Sequence, residues 1–65
     1  MNLKEYWGKD VKIIYTDGDI IVGHAEGFTD KLNCPEELDN LTIATNDGRL
    51  NAVFEDEIQS IEILE

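Results

Sequence analysis

Fifteen of the 65 residues are Asp or Glu and five are Lys or Arg, a formal charge of −10 at neutral pH. Three acid groups could offer oxygens to a hard cation or to a basic partner: Asp17-Gly18-Asp19, Glu36-Glu37-Asp39 and Glu55-Asp56-Glu57. None follows the calcium-loop pattern of alternate acids, central glycine and distal glutamate, so solvated turns and faces are expected there. His24 is the only histidine. No cysteine stands at metal-ligand spacing from it, and no serine is placed as a nucleophile. A structural histidine is therefore expected rather than a metal ligand or a general base. The glycines fall within strands and turns and not ahead of a helix, which removes the usual phosphate cradle. The expectation is a non-enzymatic chain with no catalytic residue, no cofactor and no metal.

Tyr6, Trp7, Tyr15 and Phe28 could stack nucleic-acid bases if exposed. Alternation places Tyr15 and Phe28 in a core, and Trp7 over one end of it. The charge distribution also weighs against a nucleic-acid surface. Residues 1–12 hold three lysines against two acids, a net +1, whereas residues 13–65 hold Lys31 and Arg49 against thirteen acids, a net −11. Phosphate binding needs a basic face. Only the first dozen residues could build one.

The elements that must position these side chains are short. Asn2 is placed to cap a brief helix over Leu3–Trp7, and Gly8 to end it. Asp10–Thr16 reads as a strand with Val11, Ile13 and Tyr15 inward. Asp17-Gly18 is a hairpin signal. A second strand over Asp19–Thr29 brings Ile21, Gly23, Ala25 and Phe28 to the core. Glycine weakens a strand interior, so Gly23 and Gly27 together predict a bend or bulge at a barrel corner. Pro35 suits the first turn of a short helix with Glu36 and Glu37 at its positive end. Leu41–Thr45, Arg49–Phe54 and Ile58–Leu64 complete five strands, with a turn at Asn46-Asp47-Gly48 and a polar corner at Glu55–Glu57. Ile61 and Ile63 are expected on one face of the last strand. The fold class is mainly β: a small five-stranded, strongly bent open barrel with a short N-terminal helix, residues 1–65 forming a single domain.

Such a chain buries about 60% of its unfolded surface, so neighbouring subunits are a natural source of further burial. Lone Cys34 cannot form an internal disulfide, which fits a reducing compartment. No apolar run approaches the roughly 18 residues of a membrane span, and no signal-peptide pattern is present. A cytoplasmic location without membrane contact is expected.

Leu3…Gly8-Lys9-Asp10-Val11-Lys12-Ile13, followed by Asp17-Gly18…Gly23…Gly27-Phe28, resembles the opening helix, first strand and first conserved motif of the Sm-like family. The likeness covers most of the chain. In that family an aspartate follows the aromatic residue directly and an asparagine follows a few positions on. Here Thr29 follows Phe28 and Asp30 comes one later. The asparagine is Asn33 without a gap, or Asn40 if residues 31–37 are an insertion; Asn40-Leu41-Thr42-Ile43 fits the following strand better. RNA-binding members carry Arg-Gly or Lys-Gly between the last two strands, where this chain has Phe54-Glu55-Asp56-Glu57-Ile58.

The resemblance implies an SH3-like bent barrel and a homo-oligomeric ring joined by strand pairing. It does not carry RNA binding across intact. If RNA is bound, the family's loop maps to Thr29, Asp30, Asn33 and Asn40. Two functions are expected in order: a binding or assembly module contacting protein or RNA, then an acidic nucleic-acid mimic that occupies a nucleic-acid-binding protein. The second requires the acids of 17–19, 30–39 and 55–57 to join, with Glu55, Asp56 and Glu57 as the partner surface.

Overall fold

The computed structural model describes residues 2–33 and 38–64; the segment read as a Pro35 helix, and Cys34 with it, lie outside the described residues. Alternating apolar residues build five strands: β1 (Asp10–Tyr15), β2 (Ile20–Thr29), β3 (Asn40–Ala44), β4 (Leu50–Phe54) and β5 (Ile58–Ile63). They form one antiparallel open sheet in the order β4-β3-β2-β1-β5. Three 3-10 turns complete the described elements, at Leu3–Tyr6, Lys31–Asn33 and Glu55–Glu57.

The first of these corrects an expectation. The N-terminal segment is a single 3-10 turn, and Asn2 makes no side-chain cap. Its work is done instead by Leu3, fully buried beneath the sheet, and by the backbone beyond it. Gly8 N–H donates to the Ala25 carbonyl at 2.8 Å, and Ala25 N–H donates to Lys9 at 2.9 Å, which fastens the segment to β2.

Asp17-Gly18 and Asp47-Gly48 make matching turns. In each, glycine takes a positive φ, 95° at Gly18 and 84° at Gly48, where a side chain would be strained. Asp17 Oδ1 accepts from Asp19 N–H, and Asp47 Oδ1 from Arg49 N–H, so each turn aspartate holds its own backbone.

β2 decides the shape. Its first half, Ile20–His24, pairs with β1, and its second half, His24–Thr29, pairs with β3. Only His24 is paired with both strands. Between Ala25 and Gly27 the register with β3 shifts, so Glu26 is the extra residue of a bulge, which bends and twists a strand. The two glycines have different jobs. A Cβ at Gly23 would lie 2.4 Å from the Ala44 carbonyl oxygen and 2.8 Å from Ile43 Cγ2, so only glycine lets β3 come this near. A Cβ at Gly27 would meet nothing closer than 3.5 Å, an ordinary contact. Of the bend or bulge expected near these glycines, the bulge is present, at Glu26 beside Gly27.

Leu3, Val11, Ile13, Ala25, Leu41, Ile43 and Val53 are fully buried and, with Ile58, draw one core from all five strands. Ile61 and Ile63 share one face of β5, as expected, opposite Ile13 and Val11; Ile61 packs against the core and Ile63 is 41% exposed. A second register shift, opposite Ile14 and Tyr15, makes Gln59 an extra residue of β5, and Ile58 before it joins the core. Trp7 is half-exposed: its ring lies 6.2 Å from that of Phe28 and its Nε1–H donates to the Glu26 carbonyl.

Candidate functional site

The loop after β2 is held by its own carboxylates. Asp30 Oδ1 accepts from Leu32 N–H at 2.8 Å, and Asn33 N–H donates to the Asp30 carbonyl at 2.9 Å. Asp39 Oδ1 accepts from Lys31 N–H at 2.8 Å, closing the loop from its far side. Thr29 and Asn40 stand opposite each other in the β2–β3 ladder. Of the four residues assigned to an RNA-binding loop, Asn33 and Asp30 are exposed, Thr29 is half-buried, and Asn40 is buried. The structure thus brings the four into one neighbourhood, while Asp30 spends one oxygen on its own turn and Asn40 faces the interior.

Glu55, Asp56 and Glu57 form the 3-10 turn between β4 and β5. Glu57 Oε1 accepts from Phe54 N–H at 3.1 Å, which satisfies a backbone donor left open at the start of the turn. Two backbone bonds then tie this turn to the other acid segments. Thr16 N–H donates to the Glu57 carbonyl at 2.9 Å, and Glu55 N–H donates to the Asp39 carbonyl at 3.0 Å. Asp17 and Asp19, Glu55 to Glu57, and Asp39 with Asp30 therefore lie along linked backbone at one end of the strands.

Tyr15 reports the field there. Burial pushes its hydroxyl pKa upward, and the charges of Glu57, Asp17 and Asp19 push it further the same way. Among the described residues Asp47–Arg49 is an ion pair and Asp10–His24 is one only when the ring is protonated, so none of the joined acids is ion-paired with a described base. Asp47 is a different case: the Thr45 hydroxyl, which donates to it, holds its carboxyl below the usual value, and Arg49 N–H adds to this.

The opposite end of β1 holds an arrangement that the sequence reading missed. His24 Nδ1 lies 2.9 Å from Asp10 Oδ1 on the outward face. The pair sits in a cleft of about 390 Å³ lined also by Val22, Ala44, Asn46 and Leu64. The signal was present: both residues fall at outward positions of the alternation, and a hairpin centred on Asp17 sets 10 opposite 24. Reading the turn as the two-residue Asp17-Gly18 type would have shifted that register by one.

Among the described residues no group of three or more His, Cys, Asp or Glu side chains is placed to hold a metal ion. No described helix is long and apolar enough to cross a membrane. No family model matches this chain, and no curated protein or solved structure matches it either.

Proposed function

We propose that this chain is a non-enzymatic assembly module with an Sm-like fold, working in the cytoplasm as a homo-oligomeric ring that contacts protein. One observation carries the reading. β4 and β5 end the sheet order, each with a partner on one side only. Natural edge strands are guarded by charge, proline, bulges or covering loops. β4, Leu50-Asn51-Ala52-Val53-Phe54, has no charge, no proline and no register shift along its pairing with β3, in a chain of charge −10. Leu50 on this edge is 64% exposed. Such a strand is built to pair, and pairing β4 of one copy with β5 of the next hides both edges in a closing array. The glycine-spaced hairpin bent at Gly23 and Gly27 supports the family resemblance.

Charge opposes the assembly, since each copy adds about −10 and exposed acids are screened over roughly 8 Å at physiological salt. The test is mass in solution by light scattering at low and high salt. An oligomer that grows more complete with salt is expected, and a monomer under both conditions overturns the ring. RNA binding ranks lower: the cation and glycine of the second motif are replaced by acids, and Asn40 is buried.

The joined acid segments favour a second reading, an acidic decoy for a nucleic-acid-binding protein. Acid segments joined through their backbones, with Lys31 the one base among the described residues of 17–19, 30–39 and 55–57, offer a basic groove what phosphates would. In that case the protein displaces duplex DNA from a sequence-neutral basic DNA-binding protein at low salt, and Lys at Glu55, Asp56 and Glu57 abolishes the displacement. Undisturbed DNA at low salt removes this reading.

A further inference from the structure

The cleft around Asp10 and His24 is shaped and charged for a planar cation. Cross-strand register sets Asp10, His24, Ala44 and Leu50 in one row across four strands, and Leu64, just past β5, extends it by donating its N–H to the Asp10 carbonyl at 2.8 Å. The polar pair is in the middle of the row and the aliphatic residues lie at its ends. A carboxylate only accepts, so His24 Nδ1–H donates to Asp10 Oδ1, and in the uncharged tautomer that this bond selects Nε2 is an acceptor. Oδ2 of Asp10 and Nε2 of His24 are then two acceptors left over on adjacent strands. Asn46 adds an amide at the rim, while Val22, Ala44 and Leu64 give apolar surface. The nearest lysine on the outward face of β1, Lys12, stands opposite Glu62 in the ladder, and neither it nor any other described lysine is ion-paired with Asp10.

We propose that this cleft receives the guanidinium group of an arginine side chain presented by a partner protein. A guanidinium offers several N–H donors in a flat fork, matches a carboxylate with a neighbouring acceptor, and lays its weakly hydrated faces on apolar surface. An ammonium is compact, strongly hydrated and has no such faces. The net charge of −10 draws in a cation. The inference does not depend on the ring or on the joined acids at the other end of β1.

The test is titration of the isotopically labelled protein, followed by amide NMR, with the peptides Gly-Gly-Arg-Gly-Gly and Gly-Gly-Lys-Gly-Gly, and with free arginine. The arginine peptide is expected to move the amides of Val22, His24, Ala44 and Asn46 saturably, with at least about threefold tighter binding than the lysine peptide. Asp10→Asn and, separately, His24→Phe should each weaken the response about tenfold while keeping a dispersed folded spectrum, since both side chains are largely exposed. Equal response to the two peptides, shifts confined to residues 17–19 and 55–57, or full binding by Asp10→Asn overturns the proposal. Free arginine binding more tightly than its peptide assigns the cleft to a metabolite and overturns the partner-protein source.

Discussion

Gly23 and Ala44 approach so closely that the methyl of an alanine at position 23 would overlap the Ala44 carbonyl, at 2.4 Å. The obstacle is backbone in a paired strand, which cannot swing aside as a side chain would. Gly23→Ala should therefore destabilise the fold by about 2–3 kcal/mol, the upper end of overpacking costs. Gly27→Ala, whose methyl makes only van der Waals contact, should stay within about 1 kcal/mol of wild type, helped by a less flexible unfolded chain. Urea midpoints decide; equal losses at both positions would contradict the division of labour between these glycines.

The uncharged edge of β4 gives a second expectation. Leu50→Lys should shift the light-scattering mass toward monomer, because a charge on a pairing edge blocks addition of a strand. Leu50 is largely exposed in the single chain, so monomer stability should change by no more than about 0.5 kcal/mol. Unaltered mass would place any assembly contact elsewhere.

Tyr15 makes the acid field measurable. Its folded-state pKa is raised by burial and then by Glu57, Asp17 and Asp19. Between the unfolded and folded values the native state binds more protons, so this contribution is complete below about pH 10 and is lost as pH rises through the folded value. Phenolate absorbance, with Tyr15→Phe identifying the transition, should show late ionisation. Glu57→Gln should bring it earlier while keeping an acceptor for Phe54 N–H. An unmoved transition in Glu57→Gln would show that burial alone sets the shift.

The acid limb has the opposite sign. Asp47 is depressed chiefly by the Thr45 hydroxyl, so its contribution is present above the ordinary aspartate value and fades as pH falls through the lower folded one. Thr45→Val should raise the Asp47 carboxyl toward the ordinary value, read by carboxyl-carbon NMR. An unchanged titration would assign the shift to the backbone of the turn.

Much of this fold was legible because its signals are local. Alternation in 11–15, the two Asp-Gly turns, and glycines in the second strand place the strands to within a residue of those observed. The N-terminal turn was misread in kind, since capping residues and a glycine stop do not distinguish one 3-10 turn from an α-helical one. The bulge in the last strand was not legible, because nothing in Ile58-Gln59-Ser60-Ile61 announces the extra residue at Gln59 that lets Ile58 join the core. The acids were visible as three runs, but their joining depends on Thr16–Glu57 and Glu55–Asp39 backbone bonds between segments far apart in sequence. The Asp10–His24 pair was hidden by one residue of hairpin register.

His24 is where the two halves of β2 exchange partners, and that position doubles as the wall of a cleft. Were a guest in the cleft to alter the angle between the halves of the sheet, that angle would bias occupancy of the cleft by the same factor. Such a guest, resting on this imidazole, would also tune how far apart β4 and β5 are held, and so the diameter of anything built from them.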